Sequence, residues 1–119
     1  MEATMTQWPD FADEWLQAWN SHDLDRILSH YSDDIRFRSR KAIPLTGDGL
    51  IRGKQALRAY WQRALDNQPD LHFRIDRVYR GHEMLVIAYR NQKDVQAAET
   101  LCFGPDGTVI EASACHMDG

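Results

Sequence analysis

The 119-residue sequence predicts an α+β fold, with three N-terminal helices packed on one face of a curved antiparallel or mixed β-sheet. Two observations predict it. Apolar residues recur at spacings of three and four in the early segments and at a spacing of two in most of the later ones. The helical and extended segments are also segregated along the chain, in the order helix, helix, strand, long loop, helix and four meandering strands. A sheet curled around helices encloses a cone, whose open end is a natural pocket.

The first helix is expected over residues 11–19, where Phe11, Ala12, Trp15, Leu16, Ala18 and Trp19 form one apolar face. Asp10, after Pro9, is the expected N-cap. A polar joint at Asn20, Ser21 and His22 leads to a second, shorter helix capped by Asp23 and carrying Leu24, Ile27, Leu28 and Tyr31. The period then changes to two. Ile35, Phe37 and Ser39 alternate with Arg36, Arg38 and Arg40 in a first strand over residues 35–40. Pro44, Gly47 and Gly49 make residues 41–53 an irregular loop, with a short extended piece at 50–52.

The third helix covers residues 54–65 and buries Leu57, Tyr60, Trp61 and Leu65. The four later strands span residues 71–79, 84–89, 96–103 and 108–116. In the first of them Leu71, Phe73, Ile75 and Tyr79 share a face. The last two are joined by Gly-Pro-Asp-Gly, a strong hairpin signal.

Length and composition allow one domain over residues 1–119, with 1–9 as a loosely ordered N-terminal segment. The chain is 43% hydrophobic and 27% charged, the balance of an ordinary globule. No apolar run approaches the roughly 18 residues of a membrane helix. The first ten residues lack the basic and apolar regions of a secretory signal, so the expected compartment is the cytoplasm. With 14 basic against 18 acidic residues, nucleic acid is not an expected partner. Arg36, Arg38, Arg40 and Lys41 form the one basic patch, read as the solvated face of a strand. A symmetric hairpin puts Cys102 opposite Val109 rather than Cys115, so both thiols are expected to be free.

The segments W-x3-W-N-x-H-D-L-D-x-I-x3-Y-S-D-D-I-x-F from Trp15, G-x2-A-L-x2-Y-W from Gly53 and A-E-T-L-x-F-x2-D-G-x-V-x-E from Ala98 resemble the NTF2-like superfamily, most closely its SnoaL-like branch. The resemblance runs from about Asp10 to His116. It implies a cone-shaped fold, usually a homodimer, with an apolar pocket between helices and sheet. It does not imply one activity, because the fold hosts isomerases, cyclases, dehydratases, epoxide hydrolases, binders and assembly modules. Matched to ketosteroid isomerases of this fold, Ser39 stands at the general-base aspartate, Trp15 at the oxyanion tyrosine and Glu99 at the protonated acid. A serine hydroxyl has no useful basicity near neutral pH, so that arrangement is not expected here.

Glu99 interrupts an apolar strand and shares parity with Ala97, Leu101 and Phe103, a face that the resemblance turns toward the pocket. A desolvated carboxyl there is a candidate acid or hydrogen-bond donor. The bland alternative is an outward acid paired with Arg90 or Arg38. His116, aligned with Ala112 and Ala114, is the second candidate for proton transfer, against the alternative of a half-exposed strand end. Trp15, Trp19, Phe37, Ser39, Trp61, Tyr89, Asn91 and Leu101 are the expected ligand contacts, for an apolar molecule that their aromatic surface suits to a ring shape. The five histidines lack zinc-site spacing and no Gly-rich phosphate loop is present, so neither a metal nor a cofactor is expected. Two functions follow: cofactor-independent acid/base catalysis of isomerase, cyclase or hydratase type, or a non-catalytic binding or dimerisation module. The convex sheet face, with Thr100, Cys102, Ser113 and Cys115, is the expected homodimer contact.

Overall fold

Six strands form one mixed sheet in the order β2-β1-β6-β5-β4-β3, in a computed structural model that describes residues 2–117 and, of their side chains, those from residue 11 onward. The strands are β1 (Tyr31–Arg38), β2 (Leu50–Arg52), β3 (Arg74–Gly81), β4 (Met84–Arg90), β5 (Gln96–Phe103) and β6 (Val109–His116). All neighbours are antiparallel except β1 and β6, which run parallel. The helices are α1 (Glu2–Ser21), α2 (Leu24–Leu28), α3 (Ile43–Thr46) and α4 (Lys54–Asn67), with a 3₁₀ turn at Arg40–Ala42. The expected class holds. Among the described residues no helix is long and apolar enough to cross a membrane.

α1 runs through Pro9, so Asp10 lies inside the helix and does not cap it. The expectation of a break rested on the missing N–H of proline, a local penalty that the backbone tolerates here. The reading of 1–9 as loosely ordered falls on residues whose side chains lie outside the described set. α2 matches its signals, since the Asp23 carboxylate accepts from the Arg26 N–H and Leu24, Ile27 and Leu28 are buried. Tyr31 is not on that helix. It opens β1 instead, which ends at Arg38 rather than Arg40. A residue three after Leu28 satisfies helical spacing, yet Tyr31 is equally well buried from a strand.

The expected irregular loop contains α3, because Pro44 sits at the start of a helix, where its missing N–H costs nothing. Gly47 then ends that helix in the left-handed region at φ 86°. α4 buries Leu57, Tyr60, Trp61 and Leu65, as its periodicity predicts. In β3 the expected face fails after Ile75. A register break between Ile75 and Arg77 shifts the parity, so Val78 packs on the core and Tyr79 is 53% exposed. A second break beyond Cys102 pairs Phe103 with Val109 and Cys102 with Glu111, correcting the symmetric hairpin. Both thiols are free.

Candidate functional site

The helices and the concave sheet face leave a partly enclosed cavity of about 100 Å³. Trp15 and Trp19, four residues apart on α1, enter it from one side, and Trp61 enters from α4. Phe37 from β1 and Tyr89 from β4 line it from the sheet. These rings brace one another edge-to-face: Trp19 on Trp61 at 4.9 Å between centroids, Trp15 on Tyr89 at 5.1 Å and Phe37 on Trp61 at 5.4 Å. The walls are therefore apolar and held by their neighbours.

Polar groups inside are few. Glu99 is only 3% exposed and Ser39 only 4%. Glu99 lies on β5 opposite Ala114 of β6, and His116 lies opposite Ala97, so the two candidate groups are diagonal neighbours on one face. Such neighbours are roughly 7–8 Å apart at their Cα atoms, and the small Ala97 and Ala114 beside them leave space above the sheet. The Trp15 indole N–H faces the buried Tyr31 hydroxyl, while the Trp19 indole N–H and the His116 Nδ1 are buried without a hydrogen-bond partner among the described residues. Unmade bonds of this kind are costly, so each suits a polar atom of a ligand.

The Glu99 carboxyl is pushed up to about 8. Burial is the cause, partly opposed by the Tyr89 hydroxyl, which donates to Oε1 at 3.5 Å. Among the described residues no cation pairs with it, and the alternatives Arg90 and Arg38 are elsewhere: Arg90 holds Asp76 and Asp94, and Arg38 is exposed. The phenols of Tyr31 and Tyr89 are raised well above their usual value, first by burial and then by the Glu99 charge. His116 is pushed down to about 4, by burial first and then by the charges of Lys41 and Arg40. At neutral pH the cavity therefore holds a protonated carboxyl and a neutral imidazole.

Of the expected contacts, Trp15, Trp19, Phe37, Ser39, Trp61, Tyr89 and Asn91 line the cavity together with Glu99 and His116. Leu101 does not. It has the right parity but lies one rung deeper, fully buried between Leu85 and Ala112, where it is core. Two polar contacts are already engaged locally. Ser39 Oγ accepts from the Lys41 N–H at 3.2 Å, and Asn91 Oδ1 accepts from the N–H groups of Lys93 and Val95. Sequence reasoning missed Phe73, Gln68 and above all Lys41, which was grouped with the solvated arginines. The alternation Phe37, Ser39, Lys41 was the available signal.

The sequence model of the SnoaL-like domain matches residues 12–117. A comparison with curated proteins gives no match. Among solved structures, a SnoaL-like protein of unknown function from Burkholderia thailandensis is 40% identical, with a TM-score of 0.88 over 99% of this chain and 98% of that one. An NTF2-like protein of unknown function from Burkholderia pseudomallei shares the fold at 15% identity, with a TM-score of 0.74 over 98% of this chain and 92% of that one. So does the epoxide hydrolase/cyclase-like enzyme SalBIII, of pyran ring formation in the polyether salinomycin, at 12% identity and a TM-score of 0.75 over 95% and 92% of the two chains.

Proposed function

The chain belongs to the SnoaL-like family, and from that premise we propose that its cone binds a small apolar, cyclic molecule and performs cofactor-independent acid/base chemistry on it, of isomerase, cyclase or hydratase type. One observation carries the reading: Glu99 is a carboxyl without a cationic partner, enclosed by aromatic walls and still protonated near neutral pH. Such a group donates a hydrogen bond to a substrate oxygen that gains negative charge. His116, neutral above pH of about 4, accepts a proton from the carbon next to the oxygen-bearing one and returns it elsewhere. Both groups are in their working forms between about pH 4 and pH 8.

The test is turnover of small cyclic ketones, found by screening, in Glu99→Gln and His116→Ala. Loss of a general acid or base typically costs about 10²–10⁴-fold, and Glu99→Gln is expected in that range. Unchanged turnover in both variants removes these residues from the mechanism and leaves a binding module.

The dimerisation reading has its own support. On the convex face, the rung Tyr79, Val86, Thr100 and Ser113 runs across β3, β4, β5 and β6, and Val86, Thr100 and Ser113 are only partly exposed. A flat, mildly apolar face of this kind suits an isologous contact. Light scattering should give twice the chain mass, and Val86→Arg should halve it. A monomeric mass for the unaltered protein excludes the homodimer.

A further inference from the structure

The chain carries a net charge of −4, yet the rim of its cone holds a cation. Lys41 lines the cavity at its exposed side. A second, open groove of about 690 Å³ shares Ser39, Ala114 and His116 with it and continues round the strand ends to Arg38, Ser113 and Cys115 on the convex side. Among the described residues the carboxylates lining the two spaces are Glu99, on the buried floor, and Asp48, whose Oδ1 already accepts from the Leu50 N–H at 3.0 Å. Among the described residues no ion pair involves Lys41. The Arg40 guanidinium donates to the His116 carbonyl at 3.5 Å, which brings a second cation to the same end of β6.

Resting on the reading of the cone as a binding site, we propose that its ligand is an anionic single-ring acid, with the ring among the tryptophans and the carboxylate at the mouth beside Lys41. Size sets the ring count. An apolar cavity of roughly 150 Å³ takes one benzene, so about 100 Å³ excludes a second ring and leaves any substituent outside. Charge sets the direction. Among the described residues a carboxylate on the floor meets a desolvated carboxyl and no cation, whereas at the mouth it meets Lys41. An oxygen on the ring opposite the carboxylate then reaches toward Glu99.

The probes are 4-oxocyclohexanecarboxylate and its primary amide, which match in shape and differ in charge. Binding is followed by quenching of tryptophan fluorescence, since Trp15, Trp19 and Trp61 line the cavity. At low salt the acid should bind about tenfold more tightly than the amide, and high salt should shrink the difference. Lys41→Glu, an exposed substitution checked by its melting curve, should abolish the preference for the acid over the amide. Equal binding of acid and amide overturns the anionic ligand while the cone reading stands. A preference that survives Lys41→Glu overturns the assignment to that residue. No binding of either probe overturns the single-ring cone and this proposal with it.

Discussion

Glu99 on the floor of the cone and His116 at its mouth lie diagonally across the same β5–β6 ladder, two residue pairs apart. Burial favours the neutral form of both, raising Glu99 to about 8 and lowering His116 to about 4. What differs is the company. Among the described residues Glu99 has a distant phenol as its one partner, whereas His116 also faces the charges of Lys41 and Arg40. Desolvation therefore dominates the floor, and part of the effect at the mouth is Coulombic. Added salt should move the mouth and leave the floor nearly unchanged.

The largest test of that contrast is stability against pH. In the unfolded chain Glu99 ionises near 4.5, and in the folded one near 8. Between these values the folded state binds the extra proton, so stability falls as pH rises through the window. The loss at pH 7 is on the order of 3 kcal/mol, because the folded protein must keep the carboxyl protonated while the unfolded chain need not. Glu99→Gln should lose this slope in chemical denaturation, gaining stability relative to the parent between pH 4.5 and pH 7. An unchanged slope would mean that the carboxyl is solvated. His116 gives the opposite sign and a smaller effect, since it is half-buried. Its stabilisation is present above pH 6.5 and is lost as pH falls through about 4, and His116→Ala should flatten that acid limb. Salt should weaken the His116 limb alone.

The parity of the floor and mouth was legible in the sequence. Alternation alone put Glu99 with Ala97, and His116 with Ala112 and Ala114, and the strands keep those faces. Depth was not legible, because a period of two says which side a residue faces and nothing about how far down the cone it sits. Leu101 was misplaced for that reason. Register breaks are invisible for a related reason: one extra residue in β3 exchanged Val78 for Tyr79 with no local signature. The helices fared better, and α4 buries the four residues its spacing selects. Both prolines misled: Pro9 marks no helix start, since α1 runs through it, and Pro44 lies within a short helix where an irregular loop is expected. Lys41 was missed because its charge suggested solvent, although a long cationic side chain at the rim of a cavity satisfies both demands.

The smallest test concerns the one hydrogen bond on the floor. The Tyr89 hydroxyl donates to Glu99 Oε1 at 3.5 Å, the long end of hydrogen-bond geometry, and it favours the carboxylate. Tyr89→Phe deletes the donor and leaves the ring, which packs on Phe73 at 4.6 Å and Trp15 at 5.1 Å between centroids. The Glu99 carboxyl should then titrate higher, by roughly half a unit given so weak a bond. Carboxyl-carbon NMR across the alkaline range reads the shift directly. An upward shift keeps burial as the dominant cause, with the phenol as a minor brake. A fall after Tyr89→Phe would mean that water enters where the hydroxyl was, and the floor would then resemble the mouth.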